Sequence, residues 1–123
     1  MGIRAYARTK RIQVVVAEKL AQRYMTDGIT VHSMHPGWAD TSGITDSMPR
    51  FAKVISPILR SPSDGADTIV WLTAADAATE RSGEFWCDRR MRPTYYLSWQ
   101  ADDPAARRNV WSHACRAVKI EPT

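Results

Sequence analysis

Glycine is scarce in this chain: six in 123 residues, at positions 2, 28, 37, 43, 65 and 83. They never fall into Gly-x-x-x-Gly-x-Gly or Gly-x-Gly-x-x-Gly spacing. That excludes a glycine-rich turn within these residues in which a pyrophosphate could lie against a helix N-terminus. The two cysteines, Cys87 and Cys115, show no Cys-x-x-Cys spacing and no accompanying histidine motif. A zinc framework and a redox dithiol are therefore excluded, and both are expected to be buried reduced thiols, as in a cytosolic protein. Histidine is limited to His32, His35 and His113. The first two lie an odd number of residues apart in a stretch that reads as extended, so they project to opposite faces and do not share a metal. All three are taken as structural. No apolar run approaches the roughly 18 residues that span a bilayer, no signal-peptide core is seen at the N-terminus, and Tyr6 stands where a myristoylation motif wants Ser or Thr. The expectation is a soluble, cytoplasmic chain with neither a metal nor a membrane partner.

With 44% hydrophobic residues the chain can build one small domain with a core. It is too short for a complete doubly wound nucleotide-binding sheet of about six strands. The net charge of +4 is carried largely by arginines in three separate places: positions 4 to 11, 89 to 92 and 107 to 116. Charge spread in this way reads as solvated surface and not as a nucleic-acid footprint. Aromatic and basic residues interleave over positions 89 to 102, yet no RNA- or DNA-binding motif accompanies them.

From Ala5 to about Met25 the apolar residues Ile12, Val15, Val16, Ala17, Leu20 and Ala21 recur at helical spacing. Val14-Val15-Val16 is poor helix sequence, so this helix needs burial against something. Asp27-Gly28 stops it, with glycine available for a left-handed cap. Ile29 to Met34 is short, rich in β-branched residues and followed by His35-Pro36-Gly37, which suits a parallel strand. Ile44 to Ser61 is apolar at helical period but interrupted at Pro49 and Pro57, predicting two short helices. A helix is predicted from Pro62, capped by Ser63, with Ala66, Ile69, Val70, Leu72 and Thr73 as its buried stripe. Glu84 to Asp88 reads as the last strand. Asp103 and Pro104 start a closing helix to about Val118, anchored by Val110 and Trp111.

Chemistry concentrates in Tyr6-Ala-Arg-Thr-Lys10. Four residues is about one helical turn, so the phenol and the ammonium leave the same face with Cβ atoms about 5 to 6 Å apart. A free phenol titrates near 10, too high for proton exchange close to neutrality. A fixed ammonium nearby favours the phenolate and brings such a group toward the range in which general acid–base catalysis is efficient. Such a pair can give a proton to a carbonyl oxygen or take one from an alcohol.

The order Tyr-x-x-x-Lys, long helix, short apolar strand and Gly37-Trp-Ala-Asp-Thr41 resembles the second half of a short-chain dehydrogenase/reductase. The likeness continues through Ser63-Asp-Gly-Ala-Asp-Thr-Ile-Val-Trp-Leu72 and Ser82-Gly-Glu-Phe-Trp-Cys-Asp-Arg89, to about Val118. It implies an α/β fold: the C-terminal portion of a Rossmann-like doubly wound parallel sheet, with the N-terminal nucleotide-binding strands missing. It implies a single partial domain, in which residues 5–43 form the catalytic helix, strand and Pro-Gly loop, 44–61 a substrate lobe, and 62–118 the closing helix, last strand and C-terminal helix. Ordinary packing over the core remains open as the role of 44–61. By resemblance Tyr6 and Lys10 are catalytic, Lys10 also binds the nicotinamide ribose, and Pro36, Gly37, Trp38 and Thr41 hold the nicotinamide of NAD or NADP. Many relatives carry a small aliphatic residue where this chain has Trp38. The implied reaction is hydride transfer between that cofactor and an apolar carbonyl or alcohol substrate. The face from Ile12 to Ala21 is a candidate homodimer surface. The family's glycine-rich turn and its substrate-orienting serine are not found in these 123 residues. The alternative is therefore a truncated, non-catalytic piece or interaction module.

Overall fold

A computed structural model describes residues 2–37 and 59–122 of the chain. Helix α1 spans Ile3–Arg23. Alanine, arginine, lysine and leucine carry it by propensity, with no Gly or Pro inside to interrupt the ladder. Val15 and Ala21 are buried, which is how a helix containing three consecutive valines is held: it packs on both the closing helix and the sheet. A short 3-10 turn, Met25–Asp27, follows, and Gly28 ends it at φ 69°. A residue with a Cβ would be strained in that left-handed conformation, so glycine makes the reversal possible.

The chain then returns along α1 as β1, Ser33–Met34. The strand is shorter than the Ile29 to Met34 predicted from sequence. Ladder pairing covers two residues, yet bonds of the same sense flank it: Gly83 N donates to Val31 O at 2.7 Å and His35 N to Trp86 O at 2.8 Å. Ile29 and Thr30 are exposed and outside the sheet. β1 pairs in parallel with β2, Phe85–Cys87, with Ser33 opposite Phe85 and Met34 opposite Trp86. β2 in turn pairs antiparallel with β3, Arg90–Met91. The three-stranded sheet has the order β1-β2-β3 and is mixed, not purely parallel. β2 is thus not the last strand. A two-residue hairpin was hidden because its turn, Asp88-Arg89, contains no glycine.

Helix α2 spans Pro62–Ala74. Its cap is Ser61 and not Ser63: Asp64 N donates to Ser61 Oγ at 3.1 Å, and the Asp64 carboxylate accepts from Ser61 N at 3.3 Å. This reciprocal capping box puts Pro62 at the first helical position, where its lack of an N–H costs nothing. The predicted stripe is also corrected. Gly65 and Thr68 are the buried residues, while Ile69 and Val70 are 52% and 62% exposed. The helix turns its small face to the hairpin, since Thr68 Oγ1 accepts a bond from Arg89 N at 3.3 Å.

Helix α3 spans Pro104–Ala117, capped by Asp103, whose carboxylate accepts from Ala106 N at 3.1 Å. Trp111 and Cys115 are its buried residues, and Cys87 is half-buried; both cysteines are free thiols. α3 runs alongside α1 in the same direction. Arg11 binds Asp102, Arg107 pairs with Glu18, and Arg23 Nη1 donates to Glu121 O at 2.7 Å. The core is completed by Trp86, buried in β2, whose ring lies 5.2 Å from that of Trp71 on α2. Among the described residues no helix is long and apolar enough to cross a membrane.

Candidate active site

The site begins on the first turns of α1. Lys10 Nζ lies 5.6 Å from the centre of the Tyr6 ring, close enough for the ammonium to be attracted to the π face. The helix repeat does this, because residues four apart share a face. Both side chains are exposed, Tyr6 at 58%. Neither has a hydrogen-bond or ion-pair partner among the described residues, so the pair is free to meet something else.

The position of this pair relative to the sheet follows from chain direction. The Gly28 reversal sends β1 back antiparallel to α1. A Cβ built on Gly83, just before β2, would lie 3.4 Å from Ala21 Cβ, so the parallel pair β1 and β2 starts beside the carboxyl half of the helix. Their carboxyl ends therefore run toward the half that bears Tyr6 and Lys10. That end carries His35, Pro36 and Gly37. In open α/β sheets, ligands gather outside the carboxyl ends of the strands.

Gly37 has φ +78° and its N–H donates to His35 Nδ1 at 2.9 Å, so the chain turns sharply over a ring nitrogen. A Cβ there would come within 2.9 to 3.0 Å of the Arg60 guanidinium. The dihedral favours glycine, and the Arg60 guanidinium occupies the space that a Cβ would take. Trp38 and Thr41 lie outside the described residues, as does most of the 44–61 lobe.

His32 sits apart from this chemistry. Trp86 Nε1, which can only donate, bonds His32 Nδ1 at 3.1 Å, so His32 Nε2 carries the proton that meets Ala78 O at 2.7 Å. His32 is a bracket between β1, β2 and the turn before β2. His113 is exposed on α3.

Two features here were invisible in the sequence. The first is the Arg60–Asp88 ion pair beside Gly37, reinforced by Arg60 Nη2 to Asp88 Oδ2 at 3.2 Å. The hydrogen bond from Arg60, and then its charge, hold the Asp88 carboxyl below the usual carboxylate range. The second is the neighbouring Arg89–Asp67 pair, in which the bond from Arg89 similarly lowers Asp67. No motif flags either, because the partners are 28 and 22 residues apart.

The residues present fit one end of a dinucleotide. An ammonium beside a phenol, with no ion-pair partner among the described residues, and a backbone turn without a Cβ suit a ribose hydroxyl and a flat ring. The described residues contain no glycine-rich turn for the phosphates. Over 106 residues the chain is 45% identical to dehydrogenase/reductase SDR family member 12 of Bos taurus, a match covering 85% of this chain and 33% of that protein. This chain is a relative of the short-chain dehydrogenases/reductases. The human protein of the same description is 42% identical over the same shares. A putative daunorubicin C-13 ketoreductase, DnrU, of Streptomyces sp. (strain C5) is 33% identical over 93% of this chain and 38% of its own length. The chain thus spans about a third of the length of the curated relatives it matches. No protein-family model matches it, and no solved structure matches it.

Proposed function

We propose that this chain is the catalytic-helix portion of a short-chain dehydrogenase/reductase that transfers a hydride between a nicotinamide cofactor and a carbonyl or alcohol substrate. The observation that carries the reading is the Tyr6–Lys10 pair, exposed and without a partner among the described residues, on the half of α1 toward which the carboxyl ends of β1 and β2 run. Tyr6 gives a proton to the substrate oxygen in reduction and takes it back in oxidation. Lys10 stabilises negative charge on the phenol oxygen and bonds the ribose of the cofactor. The Pro36–Gly37 backbone would lie under the nicotinamide, and Trp38 and Thr41 are the further residues that would hold it. NAD or NADP, when bound, supplies or accepts the hydride.

On this reading the three strands belong to a larger Rossmann-like, doubly wound sheet. Its phosphate turn and substrate-orienting serine come from other sequence, and residues 1–123 alone do not turn over. Ile12, 43% exposed on α1, supports a second copy docking along the Ile12 to Ala21 face. Residues 44–61 contact the substrate, and their apolar content favours an apolar one. The two free thiols support a reducing, cytoplasmic setting.

The test is titration of the chain with NADH and NADPH, following nicotinamide fluorescence, for the parent, Tyr6→Phe and Lys10→Ala. Saturable binding is expected, weakened about tenfold, or about 1.4 kcal/mol, by Lys10→Ala and little by Tyr6→Phe. Binding indifferent to Lys10→Ala sinks the role given to that lysine. A folded chain that binds neither cofactor favours the rival reading, a non-catalytic interaction module. The exposed Ile69 and Val70 on α2 speak for that rival.

A further inference from the structure

The Pro36–Gly37 turn is held from one side by a group that the catalytic reading does not use. Gly37 is in the left-handed region, and the space its missing Cβ leaves is filled by the Arg60 guanidinium, with Nε, Cζ and Nη1 all within 2.9 to 3.0 Å of the Cβ position. Arg60 is held there by two bonds to Asp88. Asp88 is itself unusual: it and Arg89 form the β2–β3 turn at φ 54° and 55°, a left-handed conformation that residues with a Cβ disfavour. Two-residue hairpins of this kind normally use Asn-Gly or Asp-Gly. Here the strained turn is secured on its other side by Arg89, through its N–H to buried Thr68 and its guanidinium to Asp67. Strained backbone persists only where its surroundings over-determine it. In this place the turn carries the Asp88 carboxylate that binds Arg60, and Arg60 lies against Gly37.

We propose that Arg60 is a positioning residue, latched by Asp88 on the β2–β3 turn, that holds Gly37 in the left-handed conformation the nicotinamide floor requires. The latch joins three segments distant in sequence: the loop after β1, the residue before the α2 cap, and the hairpin. Its contribution comes through geometry, since both partners are solvated and an exposed ion pair is worth little by itself. The consequence for the cofactor rests on the reading proposed above; the consequence for Gly37 does not.

The experiment uses the full chain and two readouts: hydrogen exchange of the Gly37 amide, which reports its bond to His35, and NADH titration. Arg60→Asp is expected to speed Gly37 exchange at least tenfold and to weaken NADH binding by a similar factor, while exchange of the Val15 and Trp111 amides in the core stays unchanged. Asp88→Asn, which tolerates the left-handed turn but loses the carboxylate that holds Arg60, is expected to speed Gly37 exchange as well, and adding it to Arg60→Asp to change little further, a non-additivity that two independent structural roles would not produce. Should Arg60→Asp fail to fold, Arg60→Lys keeps the charge and loses the fork, and an intermediate acceleration at Gly37 is expected. Unchanged Gly37 exchange in both Arg60 variants, or effects of Arg60→Asp and Asp88→Asn that simply add in the double variant, overturns the latch. If the parent chain binds neither NADH nor NADPH, the rival reading is favoured, and Gly37 exchange alone decides the latch.

Discussion

Replacing Asp102 by Asn tests how α1 is held. Asp102 accepts from Arg11 Nε at 2.9 and 3.1 Å and from Arg11 Nη2 at 2.6 Å, with Arg107 Nη1 at 3.3 Å. Arg11 also donates to Thr94 O at 3.2 Å, and Arg107 pairs with Glu18. Arg11 adjoins Lys10, so this clasp ties the turn bearing the candidate catalytic pair to the segment before α3. Hydrogen bonds to charged groups contribute about 1.5 to 3 kcal/mol when shielded, and exposed ion pairs about 0 to 1. The Arg11 and Asp102 side chains are 26% and 23% exposed, between those limits. A loss of about 1 to 2 kcal/mol is therefore expected for Asp102→Asn. At about 3 to 6 °C per kcal/mol for a chain of this size, the melting midpoint falls by about 3 to 12 °C. The pH dependence has a definite sign. The hydrogen bond from Arg11, and then charge, hold the Asp102 carboxyl below its usual value despite partial burial. A depressed carboxyl contributes stability that is fully present above its unfolded value, about 3.9, and is lost as pH falls through its lower folded value. Urea unfolding followed by tryptophan fluorescence should thus show a parent-to-variant gap that is constant from about pH 7 to pH 5 and narrows as pH falls below about 3.9. A gap that does not narrow on acidification, or no coupling between Arg11→Gln and Asp102→Asn in a double-mutant cycle, refutes the reasoning.

Three further outcomes follow from the contacts. Ser61→Ala removes one half of the capping box on α2 and should cost about 1 kcal/mol by urea unfolding, whereas Ser63→Ala should cost a few tenths at most. His32→Ala leaves the buried Trp86 indole N–H without its acceptor and should cost about 1 to 3 kcal/mol, read from the same unfolding curves. Cys115→Ser puts a hydroxyl where the side chain is 1% exposed and should cost about 1 to 3 kcal/mol, whereas Cys87→Ser, half-buried, should be milder.

Local signals were legible in the sequence where one residue type has one strong structural use. Helical periodicity located α1, Asp103-Pro104 located the start of α3, and Asp27-Gly28 located the reversal, because capping and left-handed backbone are decided within a few residues. Tyr6 and Lys10 share a face by helix geometry alone. What the sequence concealed depends on partners far along the chain. Ser61 and Ser63 are both plausible caps, and the choice falls to Ser61 because Asp64 then sits three residues on to complete the box. The α2 stripe was misjudged because hydrophobicity marks which residues can be buried, not which face meets a neighbour. Thr68 faces the Arg89 backbone and is buried, while Ile69 and Val70 are left outside. The β2–β3 hairpin escaped because Asp88-Arg89 takes a conformation neither residue prefers, and ion pairs to Arg60 and Asp67 hold it there. The helices, the reversal at Gly28 and the Tyr–Lys spacing were thus determined by sequence-local physics. The mixed sheet, the bracket through His32 and the seating of Arg60 against Gly37 were decided only by tertiary structure, because each depends on groups that the chain brings together after folding.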